Sequence, residues 1–158
     1  MIEFLKGGKT LNGVTMGMTI DDANLILGEP TNISGEKEYG YLHYGAYRYG
    51  FTNKIINEMA IEFKFLEKPI MLKKLEWKKR NISLFEDFKI KSKCKIHKII
   101  GLINHLQLNW KVENGIDKDS FIMKIANGPY IVCYLYDGIV DKITIVDGHQ
   151  TGNKNLLQ

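Results

Sequence analysis

Residues 19–30 read TIDDANLILGEP, a helix with its own start and stop written into it. A threonine hydroxyl accepts one of the orphan backbone N–H groups of a first turn, so Thr19 predicts the N-cap, and Asp22 three residues on makes a variant of the capping box. Gly28 and Pro30 end the segment, because glycine takes the left-handed C-terminal conformation and proline cannot continue a helix. Ile20, Ala23, Ile26 and Leu27 then share one apolar face. Asp21 and Asp22 lie in the first turn, where carboxylates complement the helix dipole and need no catalytic explanation. The period then changes. Between positions 38 and 65 Tyr, Ile, Phe and Met predominate, and Gly45 and Asn53-Lys54 offer turns. Met59, Ile61, Phe63 and Phe65 alternate with Ala60, Glu62 and Lys64. A short helix followed by an antiparallel meander is the expectation.

The same order returns further along. Ile96, Ile99, Ile100, Ile103 and Leu106 fall at i, i+3, i+4, i+7 and i+10, the clearest amphipathic helix in the chain. Strand-like runs follow at Leu108–Glu113, Phe121–Ala126, Tyr130–Tyr136 and Ile139–Val146. Asp137-Gly138 is a strong signal for a two-residue type I′ hairpin, and Asn127-Gly128 is weaker because Pro129 follows it. The expected fold class is α+β, with two tandem helix-plus-antiparallel-sheet units, about residues 10–65 and 84–147, in one compact domain over residues 1–148. Between them runs a basic link, 66–83, in which Leu72, Leu75 and Trp77 stand among lysines; it reads equally as a strand or a short helix. The last ten residues, HQTGNKNLLQ, lack periodicity, so 149–158 is expected to be a mobile tail.

A length of 158 residues is about one ordinary domain and buries roughly 70% of its unfolded surface. With 44% apolar and 25% charged residues the composition is that of a soluble globular domain, which excludes bulk disorder and collagen-like readings. No apolar run approaches the roughly 18 residues of a membrane span. Met1–Lys6 shows no basic n-region leading into an apolar stretch, which points to the cytoplasm. The net charge of +4 is uneven: residues 64–98 hold twelve Lys/Arg against four Asp/Glu, whereas residues 1–63 hold five against eight. A cationic segment of this kind gains free energy by releasing counterions from nucleic acid, or it is simply a solvated face. Its single arginine, Arg80, and its few interleaved aromatics favour the second reading.

Chemistry-bearing patterns are sparse. Gly8-Lys9-Thr10 lacks the upstream glycine of a phosphate loop, since Glu3 stands there. Asp117 and Asp119 begin like a calcium loop, but Ile122 and Gly128 occupy the positions of its glycine and glutamate. His97 and His105 are about 12 Å of helical rise apart, too far for one metal. Cys94 and Cys133 form no CxxC, so no thiol-based metal site or disulfide framework is expected. Cys133 shares a strand face with Ile131 and Leu135 and reads as a small core residue. Cys94 stands near a helix start among lysines, a setting that lowers a thiol pKa and makes it the one residue worth testing as a nucleophile. No catalytic, cofactor-binding or metal-ligating residue is assigned.

The positive signal is aromatic. Five of the eight tyrosines lie in residues 39–49, with Arg48 among them. Tyr and Arg offer large, rigid contact area with a polar tip, which makes Tyr41, Tyr44, Tyr47, Arg48, Tyr49 and Trp77 candidate partner-binding residues. Tyrosines also suit half-buried strands, so packing on the helix is the competing reading. Strand alternation places Tyr47 and Tyr49 on one face and Arg48 on the other.

GMTIDDANLILGEP (17–30), with the strands YGYLHYG (39–45) and INEMAIEF (56–63), resembles small bacterial immunity proteins that neutralise polymorphic or contact-dependent-inhibition toxins. The same helix stop and meander is similar to the repeated helix–sheet unit of beta-lactamase-inhibitor-protein-like folds. The pattern carrying the resemblance, G-x-T/S-x-(D/E)-x3-4-(L/I)-L-G-x-P, covers Gly17–Pro30 and marks no functional residues. What it implies is a cytoplasmic, non-enzymatic inhibitor that needs no cofactor and binds one cognate toxin C-terminal domain. A nucleic-acid-binding module using residues 64–98 is the alternative. An enzyme built on Cys94, or a domain with a ligand pocket between sheet and helix, are further readings. The basic segment argues against an acidic plug for a nuclease, unless the acidic flanks, with Glu36, Glu38, Glu58 and Glu62, face the toxin.

Overall fold

The computed structural model describes residues 1–79, 82–115 and 117–147, and of residues 73–79, 82–87 and 114 the backbone alone. Arg80 and the expected tail, 149–158, lie outside the described residues. No described helix is long and apolar enough to cross a membrane.

Helix α1 (Ile2–Gly7) leads into a small hairpin, β1 (Thr10–Leu11) and β2 (Val14–Thr15), and then helix α2 (Ile20–Leu27). Strands β3 (Asn32–Gly35), β4 (Tyr39–Tyr44), β5 (Tyr47–Thr52) and β6 (Ile55–Glu62) form the meander. A 3-10 turn, Phe63–Phe65, precedes the arms β7 (Ile70–Lys79) and β8 (Ile82–Ile90). Helix α3 (Ile96–His105) then opens the run β9 (Trp110–Asn114), β10 (Ser120–Ile125), β11 (Tyr130–Tyr134) and β12 (Ile139–Val146). The architecture is α+β or mainly β: few helices beside one eight-stranded sheet, in the order β3-β4-β5-β6-β12-β11-β10-β9, with every pair antiparallel. Each half of the chain supplies four neighbouring strands, joined where β12 runs along β6 with Ile143 opposite Ile61.

Local chemistry explains the elements. Thr19 Oγ1 accepts from Asp22 N–H at 3.1 Å and donates to the Asp22 carboxylate at 2.7 Å, so cap and box hold each other. The Gly28 N–H closes on Asn24 O at 2.8 Å. Asn53 and Lys54 take φ of 49° and 63°, the paired left-handed residues of a two-residue hairpin between Thr52 and Ile55. α3 has no side-chain cap; its Ile96 N–H is met instead by Gly138 O of the β11–β12 loop at 3.0 Å. Gly8 is the left-handed stop of α1, φ 62°, and a Cβ there would strike Ile145, which accounts for the glycine of Gly8-Lys9-Thr10 without any phosphate.

The core lies on the face that carries the helices. Met123, Ile131, Ile143, Ile61 and Tyr47 are successive register partners across five strands, and the first four are fully buried. Phe4 and Leu5 of α1, Ala23 of α2, and Ile99, Leu102 and Ile103 of α3 close over this face. Each fully buried aliphatic side chain contributes about 1.5–3 kcal/mol before conformational entropy is set against it.

Several sequence expectations are corrected. Phe63–Phe65 is a 3-10 turn and not the end of a strand; it carries the chain away from the sheet after Glu62 and leaves Phe65 49% exposed. Residues 70–79, whose type was open, form an arm paired with β8, and its base (Ile70 and Leu72, with Phe88 and Ile90) packs on the core. Asp137-Gly138 does not close a two-residue turn. Tyr134 pairs with Ile139 around a four-residue loop, in which Gly138 is left-handed and Asp137 Oδ1 accepts from Ile139 N–H at 3.1 Å. Ile26 is 48% exposed and not on the buried face, because α2 is held to the sheet through Ala23 and Asn24.

Candidate functional site

On the face opposite the helices, register partners build a polar ladder. Asn32, His43, Arg48, Ala60, Thr144, Tyr130, Lys124 and Lys111 follow one another across all eight strands. The neighbouring row holds Ser34, Tyr41, Gly50 and Glu58. Arg48 is the hub. Its Nη2 binds Glu58 Oε1 at 2.5 Å and its Nη1 binds Glu62 Oε1 at 2.8 Å, with the three side chains only 16%, 14% and 11% exposed. Its guanidinium lies 4.6 Å from the Tyr41 ring centroid, and Thr144 Oγ1 donates to Glu58 at 3.2 Å. Burial works against the Arg48 charge, but Glu58 and then Glu62 outweigh it and hold the group above its ordinary pKa. Burial likewise pushes the nearby Asp141 carboxyl up, against the pull of Lys142 and Lys64. Gly50 makes the arrangement possible: a Cβ there would come within 2.8 Å of Glu58 Cβ and 3.2 Å of Tyr41 Cε1.

The structure separates the six candidate contact residues. Tyr49 is fully buried and its hydroxyl donates to Leu11 O at 3.2 Å, so it is a core residue and not a contact. Tyr44 donates to Asn24 Oδ1 at 2.6 Å and meets the Tyr49 ring edge-on at 5.7 Å, tying α2 to the sheet. Tyr47 is half-buried beside Ile61. Tyr41 and Arg48 belong to the polar ladder. Trp77 lies on β7, and its side chain falls outside the described residues. The expected facing therefore holds for Tyr47, Tyr49 and Arg48, while most of the aromatic area is spent on internal packing.

Other chemistry is also placed. Cys94 is 3% exposed, and burial pushes its thiol up despite the Lys91 backbone and Lys98, so the activated thiol expected from its lysine neighbours is corrected. Cys133, fully buried, is pushed up to about 12, with burial the largest cause. Ser34 Oγ and His43 Nε2 are 2.9 Å apart on neighbouring strands, but among the described residues no carboxylate orients the other ring nitrogen. Asp117 Oδ1 accepts from Asp119 N–H at 2.9 Å, the geometry of a polar turn. Among the described residues no group of three or more His, Cys, Asp or Glu is placed to hold a metal ion. Asn109, Trp110, Lys111, Lys124 and Ala126 line a shallow depression of about 240 Å³, small for a ligand site.

The surface that sequence reasoning missed is the rim formed by α2 and β3. On α2 Leu25 is 85% and Ile26 48% exposed, and on β3 Ile33 is 60% exposed: three of the nine large exposed hydrophobics among the described residues. Two tethers hold these elements together. Asn24 accepts from Tyr44 in the last turn of α2, and Thr31 N–H reaches His43 O at 2.7 Å at the start of β3. The signal was present, since Leu25 falls off the apolar stripe of the helix and β3 precedes the region read as strand. No protein-family model, curated protein or solved structure matches the chain.

Proposed function

We propose that this chain is an immunity protein, a non-enzymatic cytoplasmic inhibitor that neutralises one cognate toxin domain by stoichiometric binding. The observation that carries the reading is the rim, where Leu25 and Ile26 of α2 and Ile33 of the edge strand β3 expose large apolar side chains. We read these three side chains as one apolar patch, of the kind that marks a protein-binding surface. The likeness of residues 17–30 to small bacterial immunity proteins supports the choice of partner. In this reading the chain is two tandem helix-plus-sheet units, α2 with β3–β6 and α3 with β9–β12, meeting along β6 and β12. Tyr41 and Arg48 stand on the face of the sheet opposite α2, so they would meet the partner only where it reaches round the β3 edge at Ser34, the register partner of Tyr41.

The test is co-expression with the C-terminal domain of the polypeptide encoded immediately upstream, scoring survival and then co-purification at one-to-one stoichiometry. Survival with a stable complex is expected. A toxic domain that this chain neither silences nor retains would refute the pairing. The nucleic-acid alternative predicts an electrophoretic shift that weakens steeply with salt.

A further inference from the structure

We infer that the α2–β3 rim docks a basic protein domain, which lays an extended segment along the free edge of β3. This rests on the immunity reading and names the surface and the chemistry of its partner. Residues 10–47 carry five acidic side chains, Asp21, Asp22, Glu29, Glu36 and Glu38, against the single cation Lys37, and all six are exposed. Their field attracts a positive surface and repels nucleic acid, so the partner of this rim is a basic protein even though the whole chain is cationic.

The edge supplies the second half of the recognition. Among the described residues β3 pairs with β4 on one side and ends the sheet on the other, leaving backbone donors and acceptors for an added strand. The two ends of the sheet differ. β9 carries Lys111 and Glu113 joined at 2.9 Å, the kind of charge that blocks strand addition, whereas Asn32–Gly35 has neither charge nor proline. Ile33 stands 60% exposed in the middle of that edge, available to an apolar side chain of the incoming segment. A second copy of this chain fits poorly. An isologous contact through the rim would set the five carboxylates of one copy against those of the other.

The experiment is a calorimetric titration of the full chain with the inactivated upstream-encoded domain at low and physiological salt, using Ile33→Lys, the double variant Glu36→Lys/Glu38→Lys, and Asp119→Lys in the β9–β10 turn as control. All four positions are exposed, so circular dichroism melting should match wild type. Ile33→Lys and the double variant are expected to weaken binding about tenfold or more, the double variant also losing salt sensitivity, while Asp119→Lys binds normally. Tight wild-type binding that survives both rim changes would overturn the docking surface and leave the immunity reading standing. A wild-type chain that neither binds nor protects removes the immunity reading, and this surface with it.

Discussion

Arg48→Ala is the substitution whose consequence the structure defines best. Arg48 is shared by Glu58 at 2.5 Å and Glu62 at 2.8 Å, in a cluster where no side chain is more than 16% exposed. Truncating it strands two carboxylates in a space that water barely reaches. Glu58 keeps the Thr144 hydroxyl at 3.2 Å, but Glu62 Oε1 loses the donor that held it. Removing one partner from a buried ion pair costs about 3–5 kcal/mol, and the residual exposure places this case near 3. For a chain of this length about 3 kcal/mol lowers Tm by about 6–12 °C. The assay is urea unfolding at pH 7 followed by circular dichroism, with Tm from a thermal scan. Removing the stranded charges should recover much of the loss, so Arg48→Ala/Glu58→Gln/Glu62→Gln is expected to be more stable than Arg48→Ala alone. A single variant less than about 1 kcal/mol destabilised, or a triple variant no better than the single, would refute the account of Arg48 as the neutralising hub.

Three further outcomes follow from the same packing. Tyr49→Phe keeps the ring and deletes the donor to Leu11 O, leaving that carbonyl short of a partner, and should cost about 1 kcal/mol in urea unfolding; an unchanged midpoint would remove the hydroxyl from the account. Gly50→Ala forces a Cβ against the Cβ of Glu58 and the Tyr41 ring and should destabilise by about 1–3 kcal/mol; the increment should be smaller in a Glu58→Gly background, which removes the opposing Cβ, and full additivity of Gly50→Ala with Glu58→Gly would show that no clash exists. The Cys133 thiol is raised from 9.0 to about 12, so its contribution to stability is fully present below pH 9 and is lost as pH rises through about 12. Stability of the wild type should fall over that window with a steeper slope than in Cys133→Ala, and equal slopes would mean that the thiol does not titrate on unfolding.

The parts of this fold legible in the sequence are those with local causes. Thr19 and Asp22 cap α2 through bonds three residues apart, Asn53-Lys54 closes a hairpin by its own backbone conformation, and the isoleucines at 96, 99 and 103 mark α3 by period alone. The candidate site was half legible. Alternation sent Arg48 to the face opposite Tyr47 and Tyr49, but period two says nothing of which face a core will cover, and Tyr49 went inside while Tyr41 met a guanidinium.

What only the tertiary structure decided involves residues far apart in sequence. The pairing of β6 with β12, which places Ile61 beside Ile143 and merges both halves into one sheet, is a long-range register that no local propensity encodes. The same holds for Cys94, whose lysine neighbours promised an activated thiol until burial outweighed them, and for Ile26, which periodicity assigned to the core. Caps, turns and periods act within a few residues and are therefore written in the chain. Burial is a property of what the rest of the chain brings to a surface, so the ion-paired ladder and the exposed rim exist only once the sheet has formed.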